Sequence, residues 1–160
     1  MNENALTNTV AVQDLMHIKT CFGCGAENAH GLQLKTHWTG TGGVCHFQPQ
    51  PHMIAAPGVL NGGIIATLID CHCISTAMAH LYQAEGRPFG SEPGIWCVTA
   101  SLNVDFKRPT PIDQTIELRA HVTEEDRERG RVTVACVLSA AGKERAVGNV
   151  VAVRLRDAKV

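Results

Sequence analysis

The sequence predicts an α+β domain in which one long central helix is wrapped by a curved, largely antiparallel β-sheet. Three features predict it: a single apolar helical run opening at Asn61, a series of period-two strands after Trp96, and short turns joining those strands.

In chain order, residues 1–20 carry little pattern beyond a short helix or arm around Val10–Ile18. We assign residues 1–30 to an N-terminal arm holding the segment "CFGCG", and residues 31–160 to the domain proper. "GLQLKTHW" and "VCHFQP" read as two short strands joined across "TGTGG", a hairpin signal. Asn61 is a good helix N-cap; Gly62 and Gly63 fill the first turn, and Ile64, Ile65, Leu68 and Ile69 follow at helical spacing. Apolar residues lie nearly all round this helix, as expected for one enclosed on most sides, and "AEGRPFGSEPG" ends it. Trp96, Val98, Ala100, Leu102, Val104 and Phe106 then alternate with Cys97, Thr99, Ser101, Asn103 and Asp105, which predicts a long strand with the first set buried. "QTIELRAHV", "VTVACVL" and "RAVGNVVAVRL" alternate similarly, separated by "EEDRERGR" and "SAAGK".

Composition narrows the function classes. With 160 residues, 44% hydrophobic and 18% charged, the chain is ordinary globular material rather than disorder. A net charge of −1 gives no basic field for nucleic acid. The start "MNENALTNTVAVQDL" lacks the features of a signal peptide, and Asp70, His72 and His80 interrupt the most apolar window, so no membrane span is expected. Seven cysteines, an odd number scattered through strands and helix, read as reduced thiols in a cytoplasm.

Helix N-termini present unpaired N–H groups and a partial positive charge, and a glycine pair lets an acceptor approach them closely. Gly62 and Gly63 can therefore form an oxyanion hole for a carbonyl that gains charge during acyl transfer. Asp70, seven residues after Gly63, falls on nearly the same helix face, where a carboxylate suits a general base or nucleophile. The same residues have a plainer reading: glycines that permit close helix–sheet packing, and a hydrogen-bonded core aspartate.

"PGVLNGGIIATLIDCHC" followed by "VTASLNVDFKRPTPI" resembles the hotdog-fold thioesterases, in particular the PaaI-like acyl-CoA hydrolases, and "CFGCGAENAHGLQL" resembles the opening of many members. The resemblance covers roughly Gly31 to Leu155. It implies a hotdog fold and hydrolysis of an acyl-CoA without cofactor or metal. It also implies a homodimer or a dimer of dimers. By the same resemblance, Gly62 and Gly63 polarise the thioester carbonyl, Asp70 is the catalytic carboxylate and Thr99 the hydroxyl that orients water. Two positions depart from the pattern. Asn61 replaces the usual histidine, so a hydrogen-bonding role survives but proton transfer does not. Ala55 stands where some members place an asparagine. Thr99 is also expected on the opposite face from the strand's apolar set, so that it would meet the site only where two subunits join.

Other residues are weighed more briefly. Lys107 and Arg108, at the exit of the long strand, could meet coenzyme A phosphates or serve as ordinary surface charges. Cys21 and Cys24 could supply two zinc ligands, but completing four would need His30, His37, Cys45 or His46, none in a second clean pair; we expect no metal. His72 lies about 200° round the helix from Asp70 and, with His80, reads as a core or interface histidine. That geometry also disfavours a hydratase, which needs an aspartate and a histidine on one face. The alternative to hydrolysis is a non-catalytic acyl-CoA or lipid-like binder on the same fold.

Overall fold

The computed structural model describes residues 10–156. Its elements are α1 (Val12–Leu15), β1 (His37–Trp38), β2 (Gly43–Phe47), α2 (Gly62–Ala84), β3 (Cys97–Phe106), β4 (Ile116–Asp126), β5 (Arg131–Ala140) and β6 (Lys143–Arg154). The six strands form one sheet in the order β1-β2-β4-β5-β6-β3, every neighbouring pair antiparallel. This is the wrapped-helix, hotdog architecture that the sequence predicts.

The sheet closes on α2 through its inward-facing residues. Leu118, Val134, Leu138, Val150 and Ala152 meet Leu68, Ile69, Ala77 and Tyr82, all fully buried. Gly148 lets helix and sheet approach, because a Cβ there would lie 2.4 Å from Ile69 Cγ2. By length and composition α2 could cross a bilayer; in this fold it is the core helix. The segment before the hairpin also packs inward, with Val12, Met16, Cys24 and Leu34 in the same core.

One expectation is corrected. The set Val98, Leu102 and Phe106 is not buried: these residues are 46%, 40% and 56% exposed. β3 is an edge strand, so one of its sides has no neighbouring strand to cover it. Its alternation is also broken, because the register with β6 shifts between Thr99 and Ser101 and leaves Ala100 as a bulge. Thr99 lies opposite Ala152 and Leu102 opposite Val150, both core-facing residues, so Thr99 and Leu102 share the helix-facing side. The bulge thus turns Thr99 inward, against the face that simple alternation assigned to it.

His72 is a core histidine, as its helical position implied. Its Nδ1 lies 2.9 Å from Thr36 Oγ1 and its Nε2 3.2 Å from the Gly43 carbonyl oxygen. A carbonyl can only accept, so Nε2 carries the proton and Nδ1 accepts from the threonine hydroxyl. That hydroxyl in turn accepts from Gln13 Nε2 at 3.1 Å, and Gln13 also donates to Ser75 Oγ at 2.8 Å. Burial pushes the His72 pKa down to about 4 from 6.5. Between these values the unfolded chain holds a proton that the folded chain lacks, so lowering the pH favours unfolding in that window and not above it. We expect stability to fall by up to about 3 kcal/mol from pH 6.5 to pH 4 through this residue. Denaturant titrations at both pH values, on the wild type and on His72→Gln, check it; the variant should show a distinctly shallower loss.

Candidate active site

The amide end of α2 is capped from within the chain. Asn61 has extended backbone angles, and its Oδ1 accepts from Gly63 N at 2.8 Å and Ile64 N at 3.3 Å. Among the described residues, Gly62 N–H meets no acceptor. Of the two glycine amides proposed from sequence, Gly62's is therefore open to an oxyanion, while Gly63's is held by the Asn61 cap. The Asn61 Nδ2 group makes no hydrogen bond among the described residues, which leaves it able to donate.

Two turns further along, Asp70 is half-buried and accepts a hydrogen bond from Thr99 Oγ1 at 2.6 Å. The Ala100 bulge makes this contact possible by aiming Thr99 at the helix. The bond engages Oδ1, and Asp70 Oδ2 has no partner among the described residues.

These two chemical groups sit at opposite ends of one open face between α2 and β3. Phe106 marks the amide end, its ring lying 3.4 Å from where a Gly62 Cβ would stand, and Thr99 marks the carboxylate end. A helix rise of about 1.5 Å per residue separates Gly63 from Asp70 by roughly 10 Å along the axis. One acyl carbon cannot touch both from the same chain. The amide end opens instead onto a groove of about 750 Å³ whose lining includes Asn61, Ile64, Phe22, Leu32, His52 and Met53, and not Asp70. Sequence reasoning did not find this groove, since its walls come from three separate stretches of chain: the loop before β1, the end of β2 with the segment after it, and the start of α2. Other cavities lie near Glu85, Arg127 and Arg154, around the far end of α2.

Lys107 and Arg108 follow Phe106 and are exposed; Arg108 Nη1 donates to the Glu144 carbonyl at 3.1 Å, while Lys107 Nζ makes no hydrogen bond or ion pair among the described residues. They flank the amide end rather than the carboxylate. His80 is half-buried and paired with Glu125 at 2.9 Å, away from this face.

The cysteines separate into two kinds. Cys45 and Cys97 are buried, and burial pushes their thiols up to about 12. Cys21, Cys24 and Cys71 instead lie together, with Cys21 and Cys71 sulfurs 3.7 Å apart. The Cys71 thiol, donating to Cys24, brings Cys24 down to about 7 against the effect of burial, and Cys71 is itself pushed up by that donation. The sequence reading sought companions for Cys21 and Cys24 at His30, His37, Cys45 and His46. The fold supplies Cys71 instead, a long-range contact that spacing alone does not reveal.

Comparison with known proteins gives a consistent picture. The family model described as thioesterase superfamily matches residues 57–137, which contain the amide end, Asp70 and Thr99. The chain is 33% identical over 88 residues to a Bos taurus protein named acyl-coenzyme A thioesterase THEM4, covering 55% of this chain and 29% of that one. It is 33% identical over 93 residues to the Xenopus laevis protein of the same name, covering 58% and 35%. The chain thus spans only about a third of the length of these curated relatives. A crystal structure of a thioesterase superfamily protein from Shewanella loihica PV-4 aligns with TM-score 0.61 and 37% identity, over 81% of this chain and 97% of that one.

Proposed function

Because the chain belongs to the thioesterase superfamily, we propose that it hydrolyses an acyl-CoA thioester to a free carboxylic acid and coenzyme A, at a site shared by two copies of the chain. The observation that carries this reading is the Thr99–Asp70 hydrogen bond on a face left open between α2 and the edge strand β3. A hydroxyl that donates to one carboxylate oxygen fixes the group and leaves the second oxygen to take a proton from water.

The reaction then runs as a balanced transfer. Asp70 Oδ2 accepts a proton as water oxygen attacks the thioester carbon, and the carbonyl oxygen becomes an oxyanion facing Gly62 N–H, joined by Gly63 N–H if the Asn61 side chain swings away. Asn61 Nδ2 donates to the thioester. Collapse breaks the C–S bond, and the proton held by Asp70 goes to the departing sulfur. Direct attack by Asp70 would form a mixed anhydride that water then opens, with the same products.

The open edge of β3 supports the dimer. β3 offers ten residues of unpaired edge with Val98, Leu102 and Phe106 exposed, a surface that invites strand pairing. Two-fold pairing of identical edges is antiparallel. Centred on Asn103, and with the Ala100 bulge skipped, it sets Thr99 of one copy beside Phe106 of the other. Asp70 of one copy then comes opposite the Gly62 amide of the other, which removes the roughly 10 Å separation found within one chain. Lys107 and Arg108, next to the amide end, are suited to the phosphates of coenzyme A.

The competing reading, a non-catalytic acyl-CoA binder, draws on the Asn61 side chain occupying Gly63 N–H. Incubation with aryl, short-chain and long-chain acyl-CoAs and a thiol reagent separates the two. Hydrolysis predicts repeated release of coenzyme A from at least one class; saturable binding with no thiol released would favour the binder.

A further inference from the structure

We propose that Cys21, Cys24 and Cys71 form a zinc site that clamps the N-terminal "CFGCG" loop onto the central helix beside Asp70. Their sulfurs all lie within 4.8 Å of one another, and the Cys21–Cys71 separation is 3.7 Å. Tetrahedral zinc with Zn–S bonds of about 2.3 Å holds its sulfurs roughly 3.8 Å apart, so an ion fits with small movements of the thiols.

The local backbone is shaped around these sulfurs. Gly25 N donates to Cys21 O at 2.8 Å, closing a turn that presents both loop thiols together. A Cβ on Gly25 would lie 2.5 Å from Cys21 N, and a Cβ on Gly23 only 2.2 Å from Cys71 Sγ. Bare glycines on either side of Cys24 therefore allow the loop to close over the helix cysteine. Cys24 is buried, which removes competition from solvent, while Cys21 and Cys71 are half-buried and give an ion a way in. Among the described residues no fourth histidine, cysteine or carboxylate joins the group, so water completes the tetrahedron. On binding, the three thiols release their protons and each sulfur donates an electron pair to the ion. The other four cysteines are buried and lie outside this group, and provide an internal control.

The test uses the whole chain, reduced and metal-free, titrated anaerobically with cobalt(II) as a spectroscopic probe and then with zinc. The site predicts sulfur-to-cobalt charge-transfer absorption saturating near one cobalt per chain and bleached by about one equivalent of zinc. Cys71→Ser should weaken the signal at least tenfold, and Cys97→Ala should leave it unchanged. A readout that needs no variant accompanies it: zinc should shield Cys21, Cys24 and Cys71 of the wild type from alkylation, as mapped by mass spectrometry. Absence of the charge-transfer band, a band that survives Cys71→Ser, or unchanged alkylation of these three thiols would overturn the site. None of these readouts depends on hydrolysis, so the proposal stands or falls apart from the enzymatic one.

Discussion

Asp70→Asn should lower acyl-CoA turnover by ~10²–10⁴-fold, the usual contribution of a positioned general base, while leaving the fold intact. The amide keeps the size of the carboxylate and still accepts from Thr99 Oγ1, so the 2.6 Å hydrogen bond and the packing of α2 against β3 survive. What disappears is an oxygen able to take a proton from water. The loss should fall on kcat with KM nearly constant, because the group acts on the reacting atoms rather than on the bulk of the ligand. Circular dichroism and steady-state kinetics on the same preparation check both halves of the expectation. An unchanged kcat would remove Asp70 from the mechanism.

The second large effect is expected from residues that touch no reacting atom. Val98→Lys combined with Asn103→Lys puts charge along the edge of β3 on its outward side, away from the helix-facing side that holds Thr99 and Leu102; Val98 is 46% exposed and Asn103 is exposed too. Lysines on an edge are a common barrier to strand pairing. Sedimentation should show a monomer in place of the dimer that we propose, and turnover should fall as far as in Asp70→Asn, because under the shared-site proposal each monomer retains only half of a site. A monomer with full activity would show that one chain suffices.

The architecture was readable because its largest signals are local. The apolar run after Asn61 and the period-two pattern of "QTIELRAHV", "VTVACVL" and "RAVGNVVAVRL" each follow from burial of one face, and the structure places α2, β4, β5 and β6 there. The placement of Asn61, Gly62, Gly63 and Asp70 on the helix was legible for the same reason: helix geometry fixes their relation from spacing alone. What escaped depended on long-range contacts. A one-residue bulge at Ala100 reverses the faces of β3, and nothing in the alternation of Val98 to Phe106 marks it. Burial of that strand was overestimated because an edge and a central strand share one pattern. Cys71 meets Cys21 across fifty positions of sequence, brought there by the loop's return to the helix.

The shared site is tested most directly by mixing two inactive variants. Asp70→Asn removes the carboxylate, and Gly62→Pro removes the open amide at a first-turn position where proline fits a helix. If each site takes its amide from one copy and its carboxylate from the other, a mixed dimer contains one site with both defects and one with neither. Co-refolding equal amounts should then restore turnover to about a quarter of the wild-type value per chain, as two-fold symmetry requires. Turnover that stays at the level of the separate variants would contradict the composite site.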